Sequence, residues 1–162
     1  MEDILIRDLE PPDAETIVRI AVAAWEPIFA YFRQAMGAEL FAAACPNWQQ
    51  EKARQVRAAC RPDSSPGVCV AEKDGRVVGF ITFCANGSGI GEIGNNAVHP
   101  DFQGQGIGTR MYQHVFQRLR ERGMRFVKVH TGGDPAHAPA RRAYEKAGFD
   151  IQLPTVDYYR KL

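Results

Sequence analysis

Three glycines alternate at Gly104, Gly106 and Gly108, inside Val98-His99-Pro100-Asp101-Phe102-Gln103-Gly104-Gln105-Gly106-Ile107-Gly108-Thr109. Glycine loses more backbone entropy on ordering than any other residue, so three in five positions imply a backbone shape that side chains would obstruct. A strand-like apolar run leads into this stretch and an amphipathic run follows it. A turn so placed can aim its N–H groups at an anion, with the unpaired N–H groups of the next helix behind them. The chemistry that suits this arrangement is the cradling of a phosphate or pyrophosphate. The competing reading is a flexible strand-to-helix turn. The glycines stand directly at a helix start, which favours the cradle.

The elements around the cradle follow from periodicity and punctuation. Ile107, Met111, Val115 and Leu119 make one stripe of a helix over 106–122, with Tyr112 and Phe116 beside it. Arg118, Arg120 and Arg122 suit its C-terminal end, and Gly123 its cap. Upstream, Val68–Glu72 and Arg76–Cys84 read as strands joined by a hairpin through Lys73-Asp74-Gly75. Ile90–Val98 completes an antiparallel meander of three. Gly94-Asn95-Asn96 puts three poor strand formers in its middle. That pattern signals a bulge with free backbone groups, or a weak edge strand.

Downstream, Phe126–Thr131 is a strand, and strand–helix–strand implies a right-handed crossover with parallel pairing. Pro139 fits the first turn of a short helix over 138–147, closed by Gly148. Phe149–Leu153 and Thr155–Leu162 read as two final strands around Pro154. At the start, Ile4-Leu5-Ile6-Arg7 reads as a strand. Asp13 then caps an amphipathic helix over 13–25 that Pro27 breaks. A second helical region covers roughly 33–60, interrupted near Pro46. The expected order is β-αα-βββ-α-β-α-ββ. Trp25, Phe29, Tyr31 and Phe32 flank the proline and serve either as core or as the wall of a substrate cleft.

A chain of 162 residues, 45% hydrophobic and 24% charged, is expected to be a single domain over 1–162. Its net charge of +1 argues for no nucleic-acid partner and no anionic membrane surface. No apolar run is long enough to span a bilayer. Met1-Glu2-Asp3 opens acidic with no apolar run after it, so no signal peptide is expected and the location is read as cytoplasmic. Cys45, Cys60, Cys69 and Cys84 match no zinc spacing and read as reduced thiols. His130 and Asp134 are closer to loop polar residues than to a metal site, so no metal is expected.

Two familiar phosphate loops do not fit. A nucleoside-triphosphate loop needs Gly-Lys-Ser/Thr, and here Thr109 follows Gly108 directly. A dinucleotide fold needs Gly-x-Gly-x-x-Gly and an acidic residue after the next strand, which here ends at His130-Thr131. Gln103-x-x-Gly106-x-Gly108 after Val98-His99-Pro100 instead resembles the acetyl-coenzyme A signature of the GNAT superfamily of N-acetyltransferases. Ala140-Arg141-Arg142-Ala143-Tyr144-Glu145-Lys146-Ala147-Gly148-Phe149 resembles the later motif of the same family, ending Tyr-x-x-x-Gly-Phe. The two stand in the family's order, separated by one helix and one strand, and with the preceding strands they cover roughly residues 65–150.

The resemblance implies a role for each matching position. Backbone N–H groups of Gln103, Gly104, Gln105, Gly106, Ile107, Gly108 and Thr109 would hold the pyrophosphate. The backbone around Val98 would hold the pantetheine arm like an added strand. Tyr144 would be the general acid toward the departing thiolate, a task within reach of a phenol. Glu92 resembles the general-base glutamate of histone-acetylating members, with a solvated strand charge as the alternative. Asn95 and Asn96 would orient the amine or its water. His137 stands where many members carry an asparagine that bonds the pantetheine, and it could keep that contact.

The expectation is an α/β (α+β) domain with a mixed, mostly antiparallel sheet, opened between its central parallel strands, and helices on both faces. It would bind acetyl-coenzyme A as co-substrate and transfer acetyl directly to a primary amine of a small molecule or peptide in a ternary complex. A homodimer is compatible with this reading. Two alternatives remain: a coenzyme A-binding sensor or partner module that lost catalysis, and a nucleotide-binding regulator. The acceptor is expected between Trp25, Phe29 and the last strand, where alternation would turn either Tyr158 or Tyr159 into the cleft.

Overall fold

The computed structural model describes residues 4–162. Residues 1–3, on which the expected absence of a leader rests, lie outside the described residues. Strand β1 (Ile4–Asp8) is followed by helices α1 (Ala14–Met36), α2 (Ala38–Ala44) and α3 (Trp48–Ala59). Strands β2 (Gly67–Lys73), β3 (Arg76–Cys84) and β4 (Ile90–Val98) come next, then α4 (Ile107–Glu121), β5 (Phe126–Val129) and α5 (Ala138–Ala147). The strands form one sheet in the order β1-β2-β3-β4-β5, antiparallel except for the parallel pair β4–β5. No helix among the described residues is long and apolar enough to cross a membrane.

Alternation along the inner strands makes two cores. Cys69, Ala71, Ile81, Phe83 and Ile93 meet the buried stripe of α4, Ile107, Met111, Val115 and Leu119. Val68, Val70, Phe80 and Ala97 meet Ile17, Ile20, Ala21, Ala53 and Val56 of α1 and α3. Strands covered on both faces carry apolar side chains in both directions, which is why β2 and β3 read as near-continuous runs. The expected hairpin is present, with Asp74 at φ 51° and Gly75 at φ 71°.

The strand anomaly at Gly94-Asn95-Asn96 is a bulge. Ile81 pairs with Asn96 and Phe83 with Ile93, so Thr82 alone opposes both Gly94 and Asn95. Gly94 has a packing reason, since a Cβ there would lie 2.6 Å from Thr82 Oγ1. The extra residue reverses the alternation of β4. Ile93 faces α4 before it, and Asn96 and Val98 face α4 after it. Asn95 and Ala97 fall on the α1/α3 side.

Beside the bulge the sheet opens. β4 and β5 pair only from Ile90↔Phe126 to Ile93↔Val129, and residues 94–98 have no partner on that side. A backbone edge inside the fold is thus left with groups free to bond an added chain. The parallel pair lies at one margin of the sheet rather than its centre, because the strands expected after α5 do not form.

Several expectations fail for local reasons. Residues 150–162 form no strand and are exposed. Pro154 lacks a donor there, and the apolar residues change phase across it: Ile151 and Leu153 are odd, Val156 and Tyr158 even. The two runs therefore share no single face that could be buried together. Pro27 does not end α1, which continues to Met36. The loss of one helical hydrogen bond is offset there by tertiary packing, Phe29 stacking on Trp48 at 4.2 Å. Asp13 does not cap α1 with its side chain. It accepts from Arg7 at 2.6 Å and from the Glu10 N–H at 2.8 Å.

Candidate functional site

The glycine turn follows the unpaired end of β4. Gly104 and Gly106 sit at φ 76° and 78°, in the left-handed region, so both positions favour glycine on backbone grounds. A Cβ added to either would meet nothing within 4 Å, so both glycines face open space that a ligand can enter. Gly106 is the N-cap of α4, and the first helical bond runs from the Arg110 N–H to its carbonyl at 3.1 Å. The N–H groups of Ile107, Gly108 and Thr109 therefore have no partner within the helix. Ile107 is buried and fixes this end of α4 to the core. Gly108 is under neither constraint, since its Cβ would touch Tyr112 at an ordinary 3.8 Å.

Side chains brace the turn. Gln103 donates to the Val98 carbonyl at 3.1 Å, so that carbonyl is already paired. Lys73 donates to Gln105 at 2.8 Å and lies over the Phe102 ring. His99 Nδ1 accepts from the Asp101 N–H at 3.3 Å and shapes the Pro100–Phe102 turn.

Tyr144, on α5, is 8% exposed and faces the gap from the α4 side. Asn96 Nδ2 donates to its hydroxyl oxygen at 3.2 Å and to the Gly94 carbonyl at 3.0 Å. The Tyr112 hydroxyl donates to Asn96 Oδ1 at 2.9 Å. The amide has only one sensible orientation, because the carbonyl of Gly94 can only accept. With Tyr144 accepting from Nδ2, its own proton keeps only a long 3.5 Å approach to Asn96 Oδ1, an atom that already accepts the closer Tyr112 hydroxyl. Burial pushes the Tyr144 phenol up, against the hydrogen bonds from Asn96 and Tyr112. The group therefore stays protonated through the neutral range and is suited to give a proton.

Asn96 thus touches Tyr144, on the opposite side of the sheet from its expected place beside the acceptor. The bulge is the reason. Tyr112 has a polar role that its position in a helical stripe did not reveal.

Glu92 lies on the other face. It lines a cavity of about 390 Å³ with Gln55, Thr82, Gly94 and Asn95. Its carboxylate pairs with Lys128 at 3.1 Å, in a solvent-exposed contact of small energetic weight. Glu92 and Tyr144 therefore approach the gap from opposite faces. A second cavity of about 400 Å³ is lined by Phe29, Cys45, Trp48, Glu51, Lys52 and Gln55. Gln55 borders both. Asn95 accepts from Lys52 at 3.0 Å, and the Lys52 ammonium lies 4.2 Å from the Trp25 ring centre. Lys52 and Gln55 escaped sequence reading because only the packing of α3 on β4 brings them to Asn95.

His137 is held by Asp134, Nδ1 to Oδ2 at 2.6 Å, at the start of α5. Burial raises the Asp134 carboxyl, and the hydrogen bond and charge of His137 outweigh it, leaving the carboxyl below its ordinary range. The remaining nitrogen, Nε2, is the one left for a ligand. Tyr158 is 93% exposed and lines neither of these two cavities. Phe29 lines a cavity; Trp25 stands behind Lys52.

A model of the acetyltransferase (GNAT) family matches residues 25–149. A mycothiol acetyltransferase of Thermomonospora curvata is 36% identical over 92 residues, 57% of this chain and 30% of that protein. A second, from Saccharomonospora viridis, is 34% identical over 124 residues, 70% of this chain and 40% of that protein. The chain therefore spans less than half the length of these relatives. The PaiA N-acetyltransferase of Thermoplasma acidophilum, solved with coenzyme A, superposes with a TM-score of 0.72 at 17% identity, covering 93% of this chain and 91% of that one. The fold is shared at that distance. With three-quarters of its length inside the family match, and the glycine turn and Tyr144 within it, this chain belongs to the GNAT acetyltransferase family.

Proposed function

We propose that this chain is an acetyl-coenzyme A-dependent N-acetyltransferase that passes acetyl to a primary amine of a small molecule or peptide by direct attack. The observation that carries the reading is the gap between β4 and β5, with a glycine turn after the unpaired end of β4 and a protonated, hydrogen-bonded Tyr144 on its wall. The residues fit the co-substrate. The left-handed glycines present open space beside the unpaired N–H groups of α4, which suits a pyrophosphate. The unpaired edge over residues 94–98 suits an extended amide-bearing arm.

Acetyl-coenzyme A, when bound, supplies an electrophilic thioester carbonyl and a sulfur leaving group. Glu92 takes the proton that the amine loses as its nitrogen bonds to the acetyl carbon, directly or through one water. N–H groups of β4 beyond Ile93 that point away from β3 stabilise the negative charge gathering on the acetyl oxygen. Tyr144 gives its hydroxyl proton to the sulfur as the C–S bond breaks, and the resulting phenolate is reprotonated from solvent. Asn96 holds the Tyr144 oxygen from behind and stabilises that phenolate while it lasts.

The test is thiol release from acetyl-coenzyme A with a panel of primary amines, with mass-spectrometric detection of the acetylated product. Amine-dependent release supports the reading. Tight coenzyme A binding with no turnover on any amine would favour a sensor instead.

A further inference from the structure

Lys52 is a half-buried cation whose partners are all neutral. It reaches Asn95 Oδ1 at 3.0 Å, Gln55 Oε1 at 3.2 Å and the face of Trp25 at 4.2 Å. Among the described residues no carboxylate lies within ion-pair distance of it. Its sequence neighbour Glu51 is committed to Arg54, by contacts of 2.6 and 2.9 Å, and to Gln55. Burial pushes the Lys52 ammonium below its ordinary range, and Glu51 only partly opposes that. An ammonium has three donors, and the two amide oxygens use two of them. The third donor has only the Trp25 face, and no carboxylate neutralises the charge at contact distance.

The position of this charge matters as much as its isolation. Lys52 lines the cavity walled by Phe29 and Trp48. It also holds Asn95, which lines the adjoining cavity with Glu92. Gln55, one helical turn after Lys52, borders both cavities. Glu92 and Asn95 are three residues apart on β4, somewhat under the roughly 10 Å of a regular strand because the bulge lies between them. The acceptor side of the gap thus carries a carboxylate at one end and an unmatched ammonium at the other.

We propose that the acceptor is an amine that also bears an acidic group, a carboxylate or phosphate, which Lys52 binds while the amine faces Glu92. This rests on the N-acetyltransferase reading. A ligand with opposite charges about that far apart is complementary to both ends of the site. A diamine would set its second cation against Lys52, an unfavourable contact in a partly desolvated wall. Gln55, which borders both cavities, would lie along the carbon chain between the charged ends.

The experiment compares three six-carbon amines: 6-aminohexanoate, its carboxamide, and 1,6-diaminohexane. The wild-type protein should show a kcat/KM for the acid about 10-fold or more above that for the amide, and higher still above the diamine. Lys52→Met should collapse the acid-to-amide ratio to about one, Lys52→Arg should keep it, and Lys52→Glu should invert it toward the diamine. Coenzyme A binding, followed by calorimetry, reports separately on the N-acetyltransferase reading and on whether each variant is folded. Binding of 6-aminohexanoate to the coenzyme A complex, followed by tryptophan fluorescence, gives a readout that needs no turnover. A wild-type protein that binds and uses the amide or diamine as well as the acid overturns the inference. So does an acid preference that survives Lys52→Met. Failure to bind coenzyme A overturns the N-acetyltransferase reading itself.

Discussion

Replacing Asn96 by alanine separates a positioning role from a structural one. The wild-type amide bonds the Tyr144 oxygen at 3.2 Å and accepts the Tyr112 hydroxyl at 2.9 Å. Two effects follow. The buried Tyr112 hydroxyl loses its Asn96 acceptor, at a cost of about 1–3 kcal/mol in stability. Tyr144 loses a donor that is more valuable to its phenolate than to its phenol. A hydrogen bond between neutral groups contributes about 0.5–1.5 kcal/mol and one to a charged group about 1.5–3. The difference, about 1–1.5 kcal/mol, applies only as the proton leaves Tyr144, so kcat should fall by roughly 10-fold. The KM for acetyl-coenzyme A should move much less. The assay is steady-state thiol release with both substrates varied, alongside thermal unfolding. Tyr112→Phe is the comparison: it removes the Tyr112 contact with Asn96 and Tyr144 but leaves Asn96 Nδ2 on Tyr144, and should affect kcat less than Asn96→Ala. A variant that is destabilised yet turns over at the wild-type rate would refute the positioning role.

The other perturbations address the cradle, the base and the fold. Gly106→Val introduces a branched Cβ at φ 78° into the open space of the turn and should raise the KM for acetyl-coenzyme A by about 10-fold or more. A folded variant with unchanged coenzyme affinity would remove the cradle. Glu92→Gln should slow turnover most near neutral pH and recover as alkaline solution supplies free amine, so its pH–rate profile shifts upward; wild-type rates at every pH would place the base elsewhere. Arg7's hydrogen bonds hold the Asp13 carboxyl below its ordinary range, against the effect of burial. Its stabilisation is therefore fully present above the ordinary value of about 4 and is lost as pH falls through the lowered one. Asp13→Asn should flatten that acid limb in thermal unfolding, with a loss of about 1–3 kcal/mol at neutral pH from the partly buried pair.

Local chemistry made much of this molecule readable, and pairing across the chain made the rest unreadable. The hairpin at Asp74-Gly75, the stripe of α4 and the glycine turn are each specified within a few residues, and each is present. Gly94-Asn95-Asn96 allowed a bulge or a weak edge strand and could not say which strand residues would share one partner. The side of the sheet that Asn96 faces depends on that single count, so its placement near Tyr144 had to be seen. Pro27 misled because a helix anchored by stacking on Trp48 survives one missing donor. The last strands misled because alternation was read on each side of Pro154 without comparing their phase. Lys52 carried no local signal, since its partner Asn95 lies 43 residues away.

The central claim is amine-dependent acetyl transfer in the β4–β5 gap with Tyr144 as the acid. Its most direct measurement is the rate of thiol release from acetyl-coenzyme A by wild type and Tyr144→Phe, with a competent amine and without it, together with calorimetric affinity for coenzyme A. Wild-type release should require the amine and yield the acetylated amine. Tyr144→Phe should cut that rate by roughly 10- to 1000-fold while the affinity stays close to wild type. Release that does not depend on the amine, or a Tyr144→Phe variant as fast as wild type, would contradict the account.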